Sequence, residues 1–414
     1  MSTRIISVPK QMWFEEGERE LEFPESWEVI PCLMKGHNAP PITPAKIRTA
    51  LIKPIGTLPL RQLAQRKNEV VIIFDDLTRP TKVAELAPFV IEELEAAGIP
   101  DSAIRFVCAL ASHGPLSRQS FQKKLGDKIL NRFPVYNHNV YENCKHVGNT
   151  SRGTKVSINA EVMNCDLKIG IGSILPHSNA GYGGGAKIIL PGVAYIDTIE
   201  ANHLLAKRAQ ESGEPRLSGM GNYEENPERL DIEEAVRMIG TVFKLDTIVN
   251  GRGQPCALFA GDIHAAFREG VKFAEQHYVT EPPSGIDVTV VNTYCKGSEA
   301  IIGLLPGIRL LADKGGDLVL IIDCPAGQVV HYLRGSFGKS IGGRLFNPIT
   351  TSLPWIRRLI ILSRYFEKSL TDWLAVPDII WVKTWDEVMA ILTQDFPNGA
   401  KVAVIPDGTI QYFA

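Results

Sequence analysis

The sequence predicts two α/β domains built on mostly parallel sheets. The chain has 414 residues, more than one ordinary hydrophobic core organises. Its apolar runs are continuous rather than alternating, as in strands buried on both faces: residues 69–74 read Glu-Val-Val-Ile-Ile-Phe. Strand patterns also alternate with helical ones, the order that gives parallel pairing.

Residues 1–60 form a strand-rich lead-in, with short strands at 21–23 and 28–32 and a helix at 44–53. Strand 69–74 runs into Asp75-Asp76-Leu77-Thr78-Arg79-Pro80-Thr81, and a helix over 83–97 ends at Gly98. Strand 104–110 runs into Ala111-Ser112-His113-Gly114-Pro115-Leu116-Ser117, where Ser117 caps the next helix. A third strand, 167–174, delivers His177, and a helix covers 194–207. Residues 208–232 are polar and rich in Gly, Pro and Glu, and are expected to form an excursion or lid. Helix 233–239, strand 243–250 and helix 263–276 close a first domain over 1–278. Residues 279–285, with adjacent prolines, are the expected linker. The second domain, 286–414, repeats the pattern with strands at 287–292, 318–323, 378–382 and 401–406 and helices at 299–312 and 386–392. The tail 409–413 adds a strand, whose return to the first domain is left open.

Composition excludes several classes. A net charge of −2 provides no electrostatic footprint for nucleic acid. No apolar run reaches the length of a membrane span; the longest candidate, 355–373, is broken by Arg357, Arg358, Arg364, Glu367 and Lys368. The start Met1-Ser2-Thr3-Arg4 lacks a signal-peptide core. The seven cysteines are scattered, odd in number and without a C-x-x-C pair, which suits reduced thiols in a cytoplasmic protein.

Ligands of open parallel sheets bind beyond the carboxyl ends of strands. Three strand ends here deliver Asp76 with Arg79, His113, and His177. A loop histidine is usually only solvated, but a Gly-Pro step follows His113 and four glycines lie beside His177. Imidazoles titrate near neutral pH, so two of them can act as acid and base in turn. The stretch from Pro176 to Gly192 places Gly181, Gly183, Gly184 and Gly185 just before Lys187. That invites a phosphate-loop reading, yet Ala186 and Ile188 flank the lysine where G-x-x-x-x-G-K-[ST] is required. The glycines can still offer N–H groups to an anion, and Lys187 can pair with an anion or form a covalent link to a cofactor. His203 lies on a helix with Glu200 one turn before it; two candidate ligands do not complete a metal site. Asp75 and Asp76 suit a helix entry, while Arg79 suits a carboxylate or phosphate clamp.

Taken together, Asp75-Asp76-Leu77-Thr78-Arg79-Pro80, Ser112-His113-Gly114-Pro115-Leu116, and Pro176-His177 through Gly192 to Thr198-Ile199 and Asn202-His203 resemble the nickel-pincer-nucleotide lactate racemases and their relatives. The resemblance is good over residues 65–275 and weaker beyond. It implies two α/β domains with the active site in the cleft between them. It implies a pyridinium-3-thioamide-5-thiocarboxylate mononucleotide carrying nickel, made by dedicated cofactor-synthesis proteins. It implies attachment to Lys187, completion of the nickel by His203, and acid/base work by His113 and His177. Asp76, Thr78, Arg79, Gly184 and Gly185 match the cofactor-holding loops, with Arg79 also facing the substrate.

One departure bears on substrate. Lactate racemases of this family carry Gln-x-x-Lys near the start of the second domain. This chain reads Thr293-Tyr294-Cys295-Lys296-Gly297-Ser298-Glu299, leaving Tyr294 and Lys296 as candidate substrate contacts. The expectation is a 2-hydroxyacid racemase or epimerase acting on something other than simple lactate. The alternatives are a C2 epimerase of a sugar acid with the same cofactor, or a non-catalytic cofactor carrier.

Overall fold

The structure is a computed structural model and describes residues 3–311, 314–338, 340–346, 355–367, 370 and 378–413. The chain forms two units, one of residues 39–276 with 331–333, the other of residues 1–38, 277–330 and 334–414.

In the 39–276 unit a six-stranded sheet runs in the order Pro255–Asp262, Val242–Val249, Leu167–Ser173, Val70–Asp75, Ile104–Ala109, Val135–Asn137. All neighbours pair in parallel except Pro255–Asp262, an antiparallel edge that the sequence reading did not anticipate. The continuous apolar runs are the central strands: every residue of Val70–Asp75 and of Leu167–Ser173 is buried. Ile72, Phe74, Phe106, Ile169 and Leu245 pack there with Leu86, Val90 and Leu94 of the helix Val83–Ala96. Each such side chain withdrawn from water contributes about 1.5–3 kcal/mol before entropy is counted.

The other unit carries six parallel strands in the order Ile380–Val382, Ile356–Leu362, Gly316–Ile321, Val288–Asn292, Lys401–Ile405, Glu28–Pro31. The expected assignment of residues 1–278 to one domain therefore differs from the observed division. Glu28–Pro31 hydrogen-bonds to Lys401–Ile405, and Leu21, Phe23 and Trp27 are buried among Val290, Val319 and Val404 of this second core. Lead-in strands are apolar enough for either sheet, and the partner was decided by packing rather than proximity in sequence. The last strand, Tyr412–Phe413, pairs with Val279–Thr280 within the same unit, inside the stretch expected to be a linker. The end of the expected helix at Ala312 lies outside the described residues. Among the described residues no helix is long and apolar enough to cross a membrane.

Candidate active site

The strand Val70–Asp75 ends at Asp75, and the loop after it is held tightly. Lys124, fully buried on the helix Arg118–Arg132, reaches the Asp75 carboxylate at 2.7 Å and donates to the carbonyls of Asp76 (2.8 Å) and Arg79 (2.9 Å). One ammonium thus fixes both ends of Asp75–Arg79. Burial pushes the Asp75 carboxyl up, with Lys124 opposing it.

The next loop begins where Ile104–Ala109 ends. Ala111 donates its N–H to Gly192 O at 2.9 Å, which ties this loop to the glycine-rich one. His113 Nδ1 lies 2.7 Å from Asp76 Oδ2. Asp76 Oδ1 accepts the backbone N–H of Thr78 at 3.0 Å and also its hydroxyl. Burial raises Asp76, but the facing His113 and Arg79 outweigh it and hold the carboxyl below the ordinary range. An ionised Asp76 accepts from Nδ1–H, so the lone pair of neutral His113 is on Nε2. Asp76 also balances the charge when that nitrogen takes a proton.

His177 is set differently. It sits in a short antiparallel ribbon, Pro176–His177 against Gly181–Tyr182. Its Nδ1 accepts the backbone N–H groups of Asn179 and Ala180, both at 3.1 Å. The neutral ring therefore carries its proton on Nε2, the opposite tautomer to His113.

The glycine loop owes its composition largely to packing. At Gly185, with φ +56°, a Cβ would meet the Phe267 ring at 2.7 Å. At Gly184, with φ +84°, it would meet Ile174 at 2.8 Å and Ser173 O at 2.9 Å. Asp246 Oδ2 accepts the Gly185 N–H at 2.8 Å, and Lys244 holds the other oxygen of that carboxylate at 2.5 Å. Arg229 stacks 3.6 Å from the Phe267 ring centre and donates to Gly184 O at 3.2 Å.

These loops enclose a cavity of about 540 Å³, part of it open to solvent. Asp76, Thr78, Arg79, His113, Gly184 and Lys187 all line it, with Ser173, Lys244 and Asp75. Lys187 is nearly buried; desolvation, assisted by Arg229 and Arg79 and opposed by Glu228, lowers its ammonium to about 8. His177, Gly185 and His203 are not on the lining. Gly185 packs against Phe267. His203 is connected to the cavity wall indirectly: its Nδ1 and Lys187 Nζ both lie 3.5 Å from Glu228 Oε1. Tyr294 and Lys296 belong to the other unit, where Lys296 is buried.

Sequence reasoning missed Lys124, Lys244, Asp246, Glu228 and His331. The Lys-x-Asp pair at 244 and 246 interrupts an otherwise apolar strand on one face, and that was a usable signal. Asn226-Pro227 is an N-cap followed by proline at the first helical position, so it was legible that the helix expected at 233–239 starts earlier, at Pro227, inside the expected excursion. His331 had no signal. It bridges to His113 through the backbone, and the two rings lie edge to face at 5.4 Å.

A family model described as the lactate racemase N-terminal domain matches residues 14–214. The lactate racemase of Thermoanaerobacterium thermosaccharolyticum is 27% identical over 383 residues, 87% of this chain and 88% of that protein. The lactate racemase of Lactiplantibacillus plantarum is 27% identical over 388 residues, 87% of this chain and 89% of that protein. Residues 14–214 thus carry the lactate racemase N-terminal domain, and the chain is similar to lactate racemases over most of its length. Its fold agrees with that of the lactate racemase apoprotein from T. thermosaccharolyticum, at TM-score 0.75 and 22% identity over 99% of this chain and 100% of the other. A protein of Thermotoga maritima shares the fold at TM-score 0.66 and 18% identity, over 90% and 99% of the two chains. In this chain the three motif loops follow the carboxyl ends of strands Val70–Asp75, Ile104–Ala109 and Leu167–Ser173 of one sheet.

Proposed function

We propose that the protein is an isomerase that racemises or epimerises a 2-hydroxyacid, with a nickel-pincer nucleotide held on Lys187 and its metal completed by His203. The observation that carries this reading is the His113–Asp76 pair in the same cavity as Arg79 and Lys187. Its likeness to two lactate racemases supports the reaction class.

The residues fit such a group. An amine lowered to about 8 is partly unprotonated near neutral pH, as covalent attachment requires. The His203 imidazole is a suitable donor for nickel. When bound, the nucleotide supplies a hydride-accepting ring and a metal that the side chains cannot provide.

The chain's own groups do the rest. Arg79 offers a guanidinium to the substrate carboxylate. His113 Nε2 takes the hydroxyl proton, and Asp76 stabilises the imidazolium that results. A hydride acceptor held at Lys187 would supply the chemistry by which no carbanion need form at Cα. His177 presents Nε2–H, so the two imidazoles enter the cycle as acceptor and donor. The missing Gln-x-x-Lys after Thr293 favours a substrate other than simple lactate. The seven free thiols suit a reducing, cytoplasmic setting, and the cofactor-synthesis proteins are the expected partners.

The test is co-expression with the cofactor-making pathway, followed by nickel analysis, intact mass and a panel of single-enantiomer hydroxyacids. The expected result is bound nickel, added mass at Lys187 and loss of optical purity, with His113→Ala and His177→Ala each abolishing turnover. Absence of both nickel and added mass overturns the cofactor assignment. Cofactor without turnover across the panel overturns the isomerase and leaves a carrier.

A further inference from the structure

Glu228 opens the helix Pro227–Arg237 and is completely buried. Its Oε1 lies 3.5 Å from Lys187 Nζ and 3.5 Å from His203 Nδ1. Both are ion-pair distances, and neither oxygen makes a conventional hydrogen bond among the described residues. A buried carboxylate in a purely structural role is normally saturated with donors, because an unmatched one is strongly unfavourable. The fold nevertheless holds it there. Asn202, beside His203, donates to Glu228 O at 3.1 Å, and Asn226 donates to Asn179 O in the glycine loop at 2.6 Å.

We propose that Glu228 is a positioning residue that links the cofactor lysine to the metal-binding histidine; this rests on the function proposed above. It faces His203 Nδ1, which leaves Nε2 as the nitrogen directed to the metal and raises its basicity. It also balances Lys187 before attachment. An amide-type bond at Lys187 Nζ removes that lysine's charge, and the carboxylate then faces His203 alone. Attachment at one residue and metal retention at the other are thereby coupled through one side chain.

The experiment uses the cofactor-loaded protein and Glu228→Gln. Nickel release to excess chelator is timed while intact mass reports the adduct at Lys187. The expected result is an adduct as in the parent protein, with nickel leaving about 10–100-fold faster. Release as slow as in the parent overturns the proposal. Glu228→Asp keeps the charge and is expected to fall between the two; a loss equal to that of Gln would mean the site had merely been disturbed and would count against the proposal. A second readout uses the cofactor-free chain: without the carboxylate, Lys187 should be acylated faster at pH 8. If the parent protein carries no nickel, the functional reading fails separately, and unchanged acylation then overturns the Glu228 contact.

Discussion

Lys124→Met removes one ammonium that three groups share. Its Nζ lies 2.7 Å from the Asp75 carboxylate and donates to two carbonyls at 2.8 and 2.9 Å. Methionine matches the length of the stem but leaves Asp75 buried without its cation. Breaking a buried pair in this way costs about 3–5 kcal/mol. The loss does not grow further because Asp75, already pushed up by burial, takes a proton instead. At roughly 2–4 °C per kcal/mol for a unit of this size, the melting temperature should fall by roughly 6–20 °C. The sign with pH follows from the same group. A carboxyl whose folded pKa is raised binds its proton more tightly in the folded state, so its contribution is present at low pH and is lost as pH rises through that pKa. Without Lys124 the rise is larger, so the deficit should be smaller at acidic pH and grow towards neutrality. Urea melts of both proteins across pH, read by circular dichroism, measure it. A deficit below about 1 kcal/mol, or one independent of pH, would refute the idea that this ion pair holds the loop.

Asp76→Asn should lower turnover by about 10²–10⁴-fold with little loss of fold, because an amide can donate to Nδ1 and force the proton of His113 onto Nε2; polarimetric or chiral-chromatographic rates of the loaded enzyme test it. Lys187 should be acylated by a small amine-reactive ester about 100-fold faster than surface lysines at pH 8, with half-maximal labelling near its depressed value of about 8; peptide mass mapping reads the site. The same depression means that Lys187 opposes folding below pH 8 and that this penalty is relieved as pH rises from 8 towards the unfolded value. Gly185→Ala should destabilise by about 2–5 kcal/mol through its positive φ and the Phe267 overlap, measured as a shift in the urea midpoint.

The sheet of the 39–276 unit was readable because its central strands are apolar on both faces, and that pattern names a buried parallel strand without any partner in view. Pairing was not readable in the same way. Glu28–Pro31 and Lys401–Ile405 lie at opposite ends of the chain, and nothing local in either marks the other. Pro255–Asp262 begins with proline and contains glycine, both of which weaken a strand signal; its edge position is what tolerates them. In Ile356–Leu362 two arginines follow the first residue and mask four buried residues behind them.

The candidate site divided along a similar line. Asp76, Arg79, His113 and Lys187 were recognisable because each follows a buried strand or a glycine run, and those positions deliver side chains to a strand end. The supporting charges were not, because sequence polarity says only that a residue prefers water. Glu228 lies in a stretch so rich in Glu and Arg that an exposed excursion was the natural expectation. Yet Glu228, Arg229 and Asp231 are all buried, each against a group in a different segment: Lys187 and His203, Gly184 and Phe267, Thr150 and Asn202. A charge can be buried only where opposite charge or donors already converge, so its burial reports on distant residues rather than on its neighbours in sequence. The polar helix Pro227–Arg237, whose first turns fell within the expected excursion, is therefore the one that braces Lys187, His203 and the glycine loop from behind.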